Sequence, residues 1–479
     1  MKIKNNDSLM EYNIKSLMVP LMLVLFISTL DQTIVVTALD RIGQTLGNAA
    51  AAPWIATAYL LTSAVTTLIF GKLGDMYGRK SVLQISIAIF IIGSALCAFA
   101  PDMFWLIAFR AFQGIGGGGL SSLVMAIVGD LVPPRQRARY QAILGIVPAI
   151  ALLAGPVLGG LIVDSLSWPF IFMINVPIGI AAFVIIAKKL HLPVRKSKHR
   201  VDIAGGILAV IFTTSFLLLT VFGGHDYRWG SWQIISLGIL GITSLGLYIL
   251  VESKVAEPIT PLRLFRNSVF SISSTLFFLS TAILFVGMLF VPLMLQTVFG
   301  LSAFLAGACI VPLLFGLIAA TMMTGNSIAK TGRYKKFPVI GSFLCGGALL
   351  ALSLIPDHSP VWLIILALTI LGAGVGFFIQ VTVLAGQNAV STKDLGVATG
   401  ALNFFKNLGG AAGSAVFGAV LNSAMQKYGH QPMSPYHLLF MAAIPLAFIA
   451  LMLALAMQEK PLSETAMEIA EGKIEAPEY

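Results

Sequence analysis

Gly71-Lys-Leu-Gly-Asp-Met-Tyr-Gly-Arg-Lys80 is the stretch on which the fold turns. It stands between two long apolar blocks, and a weaker copy, Gly325-Asn-Ser-Ile-Ala-Lys-Thr-Gly-Arg-Tyr334, stands between two others. Gly71, Gly78 and Arg79 reappear as Gly325, Gly332 and Arg333 at one constant offset, while Asp75 becomes Ala329. Two copies of one charged reversal imply two copies of one surrounding bundle.

Outward from these reversals the chain is a series of apolar blocks. They lie at roughly 17–39, 53–70, 82–100, 103–128, 140–163, 169–187 and 203–222, then at roughly 232–251, 269–291, 303–324, 337–355, 361–385, 397–423 and 436–457. Each is long enough to cross a hydrocarbon core of about 30 Å, which takes about 20 helical residues. Lipid offers the backbone no hydrogen-bond partners, so continuous apolar runs imply helices. About fourteen spans are therefore expected. The repeat makes helices 1–6 and 9–14 the two halves and helices 7 and 8 an inserted pair. The expected divisions are 1–188 for the first bundle, 189–268 for the linker with its helix pair, 269–457 for the second bundle, and 458–479 for a solvated tail. Parallel repeats with a site at the midplane between them are a recurring transporter plan.

Composition agrees. Of 479 residues, 57% are hydrophobic and 10% charged, against about 25% charged in a typical soluble domain. A water-facing surface cannot be built from so few charges, which excludes an ordinary globular enzyme. Cys97, Cys309 and Cys345 fall inside spans with no metal-ligand spacing, and no metal or cofactor is expected. The six histidines lie in loops or at span ends and offer no nucleophile–base pair, so a membrane-embedded enzyme is disfavoured. Lys2, Lys4 and Lys15 before an apolar run look superficially like a signal peptide, but the run is too long, so an uncleaved first helix is expected.

With the N-terminus placed in the cytoplasm, 25 of the 30 Lys and Arg residues fall on one face. This is the positive-inside bias of a threaded membrane protein, and it puts both termini in the cytoplasm. It also accounts for the net charge of +10 without nucleic acid. The densest cluster, Lys189 to Arg200, reads as an anchor near anionic lipid.

Several motifs resemble those of the major facilitator superfamily, in its fourteen-span drug:proton antiporter branch. The 71–80 stretch is similar to the GxLaDrxGrk motif of that superfamily. Leu30-Asp-Gln-Thr-Ile-Val-Val-Thr-Ala-Leu39 resembles the helix 1 motif of the branch, with Asp40 where proline is usual. Arg110-Ala-Phe-Gln-Gly114 resembles the helix 4 RxxQG motif, and Ala151-Leu-Leu-Ala-Gly-Pro-Val-Leu-Gly-Gly160 the antiporter motif, with Ala151 for its first glycine. Trp168 to Gly179 and Pro261 to Asn267 fit the same branch. The resemblance implies an all-α integral membrane protein with the major facilitator fold, two six-helix bundles plus the inserted pair. It further implies a multi-pass protein of the inner membrane, acting as a monomer and driven by the proton gradient. It would export small amphipathic compounds in exchange for protons. A dedicated exporter of one metabolite, siderophore or antibiotic, and a proton-coupled uptake symporter, are the alternatives.

Three embedded charges stand out: Asp31, Arg110 and Lys406. Asp31 lies about eight residues, roughly 12 Å, inside helix 1. A charge there costs about 2.5–3.5 kcal/mol on insertion scales, and a buried carboxyl can load and release a proton. Guanidinium does not deprotonate in proteins, so Arg110 would instead bias Asp31, or serve as a hydrogen-bond post to Gln113. Lys406, in a half with no embedded acid, would join Arg110 in opposing Asp31 across a central cavity. Such a cavity suits monocationic, zwitterionic or neutral amphiphiles better than dications. On the basic face, Gly71, Asp75, Gly78, Arg79 and Asp130 form the expected cytoplasmic gate. Asp75 is placed to accept from a helix N-terminus, and the resemblance pairs Arg79 with Asp130. Gly155, Pro156, Gly159 and Gly160 would form a hinge and seal, or simply pack. The glycines from Gly114 to Gly119 read as close helix packing rather than a phosphate cradle. Helices 7 and 8, with Asp202 and Glu252 at their ends, look lipid-facing.

Overall fold

The computed structural model describes residues 4–47, 51–132, 134–190, 202–223, 227–255, 257–391, 394–428 and 433–459. Among these, fourteen helices are long and apolar enough to cross a membrane. They are α1 (Leu17–Leu39), α2 (Trp54–Tyr77), α3 (Arg79–Ala98), α4 (Met103–Leu131), α5 (Gln136–Ser165), α6 (Phe170–Lys189) and α7 (Ile203–Phe222). There follow α8 (Trp232–Glu252), α9 (Ser268–Thr297), α10 (Leu305–Thr331), α11 (Lys336–Leu354), α12 (Val361–Asn388), α13 (Leu395–Tyr428) and α14 (Ser434–Ala456). Among the described residues the sole β-type pairing is an isolated bridge between Gly223 and Tyr227. The 191–200 part of the basic cluster, Lys393 and nearly all of the 458–479 tail lie outside the described residues.

Packing repeats with the sequence. In the first half α2 and α3 pack on α4, α1 on α5 and α6, and α3 on α6. In the second half α10 and α11 pack on α12, α9 on α13 and α14, and α11 on α14. Every pairing recurs eight helices later. Across the halves the pattern is reciprocal: α2 meets α13, and α10 meets α5. The inserted α7 and α8 pack on each other, and α7 also lies against α2 and α13. Trp54 meets Phe222 at 5.5 Å between ring centroids, and Phe212 meets Phe404 at 5.9 Å. The pair is therefore half docked, with α8 its outer, lipid-facing member.

The 71–80 stretch is less of a loop than its polarity suggests. Gly71 to Tyr77 are the last turns of α2, and the break is confined to Gly78, at φ 93° and ψ 127°. Its counterpart Gly332, at φ 69°, ends α10 in the left-handed region. The apolar run stops at the edge of the hydrocarbon, but helical hydrogen bonding continues until a residue without Cβ allows the turn.

Candidate functional site

The site begins with the glycines of α4. A methyl on Gly114 would meet the Tyr59 carbonyl oxygen at 2.5 Å, and one on Gly116 would meet the Phe90 nitrogen at 2.6 Å. Gly117 abuts the Tyr59 ring and Gly119 the Ser86 hydroxyl. The run is thus a packing seam that brings α2 and α3 onto α4, as the sequence suggests. On α3, Gly93 leaves room for Gln113, whose Cα a methyl would meet at 2.6 Å.

That close approach sets a polar cluster inside the first bundle. Asp31 is 0% exposed and Arg110 1%. An Arg110 terminal nitrogen lies 2.6 Å from Asp31 Oδ2 and 2.7 Å from Gln113 Oε1, while its Nε donates to the Ile55 carbonyl at 3.1 Å. Gln113 Nε2 donates to Asp31 Oδ1 at 2.9 Å, and Asn175 Nδ2 donates to the same oxygen at 2.8 Å. Ser94 Oγ accepts from both amides, at 3.2 and 3.0 Å, and donates to the Phe172 carbonyl at 2.9 Å. The guanidinium also lies over the Tyr59 ring, 4.4 Å from its centroid. Five helices, α1, α2, α3, α4 and α6, contribute to the cluster. Arg110 is thus both the ion-pair partner of Asp31 and a hydrogen-bond post to Gln113 and the Ile55 carbonyl.

Lys406 belongs to the other half. It sits on α13, half-buried, and among the described residues it makes no ion pair with Asp31. The carboxylate is already saturated by Arg110, Gln113 and Asn175, all from its own half, so Asp31 is enclosed rather than lining an open cavity. Nothing in the sequence marks Ser94 for this cluster. Asn175 is signalled there only as an amide inside the apolar run from Trp168 to Gly179.

A second cluster closes the basic-loop face. Asp75 Oδ1 accepts from the Gly396 N–H at 3.0 Å and Oδ2 from the Val397 N–H at 2.8 Å, capping the N-terminus of α13 in the other half. Arg79 bridges Asp75 at 3.0 Å and Asp130 at 2.7 Å and donates to the Ala126 carbonyl. Gly71 gives the backbone access, since a methyl there would meet the Gly396 carbonyl oxygen at 2.6 Å. On the reciprocal seam, a methyl on Gly325 would meet the Ala138 carbonyl oxygen at 2.7 Å. Gln141 donates to Gln387 at 2.6 Å, and Gln380 to the Ala138 carbonyl at 2.7 Å. These bonds all lie toward the basic-loop face. Toward the opposite face, Leu60 on α2 and Val157 and Leu161 on α5 are exposed.

In the antiporter motif, Gly155 abuts the Thr33 hydroxyl and Gly159 that of Thr37, so α5 packs directly on α1 just after Asp31. Gly160 faces open space, and Pro156 lies in unbroken helix, its side chain outside the described residues. Among the described residues no group of three or more His, Cys, Asp or Glu is placed to hold a metal ion.

The Major Facilitator Superfamily family model matches residues 21–414. The multidrug transporter protein MdtP of Bacillus subtilis is 36% identical over 416 residues, covering 87% of this chain and 77% of that protein. Multidrug resistance protein 3 of the same organism is 34% identical over 408 residues, covering 85% and 79%. An uncharacterized MFS-type transporter of Mycobacterium tuberculosis is 39% identical over 394 residues, 82% of this chain, and the match spans 57% of its own length. The proton:xylose symporter XylE shares the fold, with a TM-score of 0.66 at 14% identity over 95% of this chain and 99% of that one. A family match over most of the length, relatives above 30% identity and the same repeat in sequence and in space place the chain in the Major Facilitator Superfamily, as a multi-pass membrane protein.

Proposed function

We propose that the protein is a proton-coupled exporter of amphipathic compounds, working by alternating access between its two bundles. The observation that carries this reading is the enclosed Asp31–Arg110 pair, at 2.6 Å and with both partners essentially unexposed. A carboxylate held by three donors from two other helices cannot exchange a proton where it stands. The helices must part first, and that requirement ties proton movement to conformation. Protonation of Asp31 would cancel its attraction to Arg110, and leaving a buried charge without its partner costs about 3–5 kcal/mol. The proton state of one group is then enough to bias the position of α1 against α4.

The positive-inside bias assigns the basic-loop face to the cytoplasm, so this arrangement is a state closed to the cytoplasm. A proton arriving from outside neutralises Asp31 as substrate leaves. Its release inside restores the ion pair and resets the bundles. The gradient is the energy source, with no resident cofactor, and one chain in the inner membrane suffices. Arg110 and Lys406 disfavour dications, so monocationic, zwitterionic or neutral amphiphiles are the preferred cargo.

Fluorescent-dye efflux in inverted vesicles tests this. Parent protein should transport dye in a protonophore-sensitive way and Asp31→Asn should not. Dye transport indifferent to a protonophore, or unchanged in Asp31→Asn, overturns the reading. Equal resistance to divalent and monovalent biocides would overturn the substrate preference alone.

A further inference from the structure

The inserted pair returns to the second bundle through the segment from Glu257 to Asn267, and that segment lies across the seam between α2 and α13. Its Ile259 and Leu264 are buried in one apolar cluster with Leu68 of α2 and Val397 and Ala398 of α13. Glu252, at the end of α8, accepts the Ile259 and Thr260 N–H groups at 3.2 and 3.1 Å. Further along, both Asp394 oxygens accept from Arg263, at 2.9 and 3.1 Å, and Asn267 Nδ2 donates to the Ala389 carbonyl at 2.8 Å. The segment is therefore moored to the root of the inserted pair and to the second half, at the end of α12 and just ahead of α13.

Glu257 reaches the other way, accepting from Lys72 of α2 at 2.5 Å. Lys72 is only 8% exposed, whereas a cation that serves only to orient the chain sits in water or among lipid headgroups. The repeat supplies a built-in comparison. At the same constant offset Lys72 becomes Asn326, which is exposed on α10, and the inserted pair packs beside α2 and α13. The buried cation is thus present on the seam that the inserted pair adjoins and missing from its counterpart. Glu257 is two residues from Ile259, and two residues reach at most about 7 Å. It cannot follow α2 far while Glu252 holds the Ile259 N–H.

We propose that the inserted helix pair supplies a latch for the basic-loop face: the segment after α8 carries Glu257 onto Lys72 and holds α2 to the second half until that ion pair parts. The latch is separate from the Asp75 cluster, which joins α2 to α13 directly. Lys72 and the mooring points of the segment lie in different halves, so the bond exists only while this face is closed. Its side chains are 10% and 28% exposed, so salt screens the pair only in part. The latch acts on opening whatever the cargo and whatever drives the movement. It gives α7 and α8 a part in gating beyond facing lipid.

Spin labels on Tyr77→Cys and Arg333→Cys, exposed positions in opposite halves of the full purified chain, report closed and open populations as distances. Lys72→Gln and Glu257→Gln each remove one charge and keep a polar side chain. Each should raise the open-to-closed ratio by roughly fivefold, as expected for a partly buried ion pair. The two together should do no more than either alone, because they break one and the same contact. Lys72→Glu alone sets two carboxylates together and should open the seam further than Lys72→Gln. Lys72→Glu combined with Glu257→Lys re-forms the pair in the opposite sense and should return the ratio to within about twofold of the parent. The measurement uses neither cargo nor a proton gradient, so its outcome is independent of the dye-efflux test. Effects that add in the double neutralisation, a ratio unchanged by either single one, or a charge swap no closer to the parent than Lys72→Glu alone, overturns the proposal.

Discussion

Asp75→Ala isolates what holds the basic-loop face shut. The carboxylate receives the Gly396 and Val397 N–H groups at 3.0 and 2.8 Å, in the first turn of α13, where N–H groups lack intrahelical partners. Losing an N-cap acceptor costs about 1 kcal/mol, and losing a negative charge at a partly buried helix N-terminus costs about another 1 kcal/mol. Donors and acceptor belong to different halves, so the whole of this energy exists only while the halves are together. About 2 kcal/mol moves the closed–open equilibrium by roughly 30-fold. Arg79 keeps Asp130 and the Ala126 carbonyl, so the rest of the cluster survives the substitution. Spin labels on Tyr77→Cys and Arg333→Cys, both at exposed positions on opposite halves, report the two populations as distances. The native cysteines are buried and will label poorly. Asp75→Asn, which keeps one acceptor and loses the charge, should shift the ratio by roughly half as much in free energy, about fivefold. A population ratio for Asp75→Ala within threefold of the parent refutes the reasoning.

Other substitutions separate packing from charge. Arg110→Ala strands Asp31 in a dry cluster and should lower stability by about 3–5 kcal/mol in a thermal melt, while Asp31→Asn combined with Arg110→Gln recovers most of that without restoring proton coupling. Gly71→Val drives a branched side chain into the Gly396 carbonyl, so it should abolish dye efflux with normal expression and leave the labelled halves apart. Asn suits the left-handed φ of Gly332 but not the φ 93°, ψ 127° of Gly78. Gly332→Asn should melt within about 1 kcal/mol of the parent, and Gly78→Asn should cost more than that.

What could be read from the sequence was whatever charge or repetition announces. The fourteen spans follow from the length of apolar runs, and the two halves from Gly71, Gly78 and Arg79 recurring in phase. Asp75 as acceptor for a helix N-terminus was also legible, because a carboxylate adds nothing to a purely topological anchor, and the family resemblance supplied the pairing of Arg79 with Asp130. Asn175 was not. A neutral amide carries no such mark, and its place beside Asp31, 144 positions away, is set by how α6 packs on α1. The same holds for Gln141 and Gln387, 246 positions apart. The burial of Asp202 and Glu252 likewise depends on the segment around Ile259 folding back over them.

The two seams between the bundles differ in a way that bears on the protein's tolerance of change. Where the first half has Asp75 and a buried Arg79, the second has Ala329 and an exposed Arg333. After duplication one copy of the charged fastening is enough, since the halves open and close as a unit. Positions 75 and 79 carry that charged fastening in this chain. A saturation library should show that imbalance directly, with intolerance concentrated in the first copy of a motif that the chain carries twice.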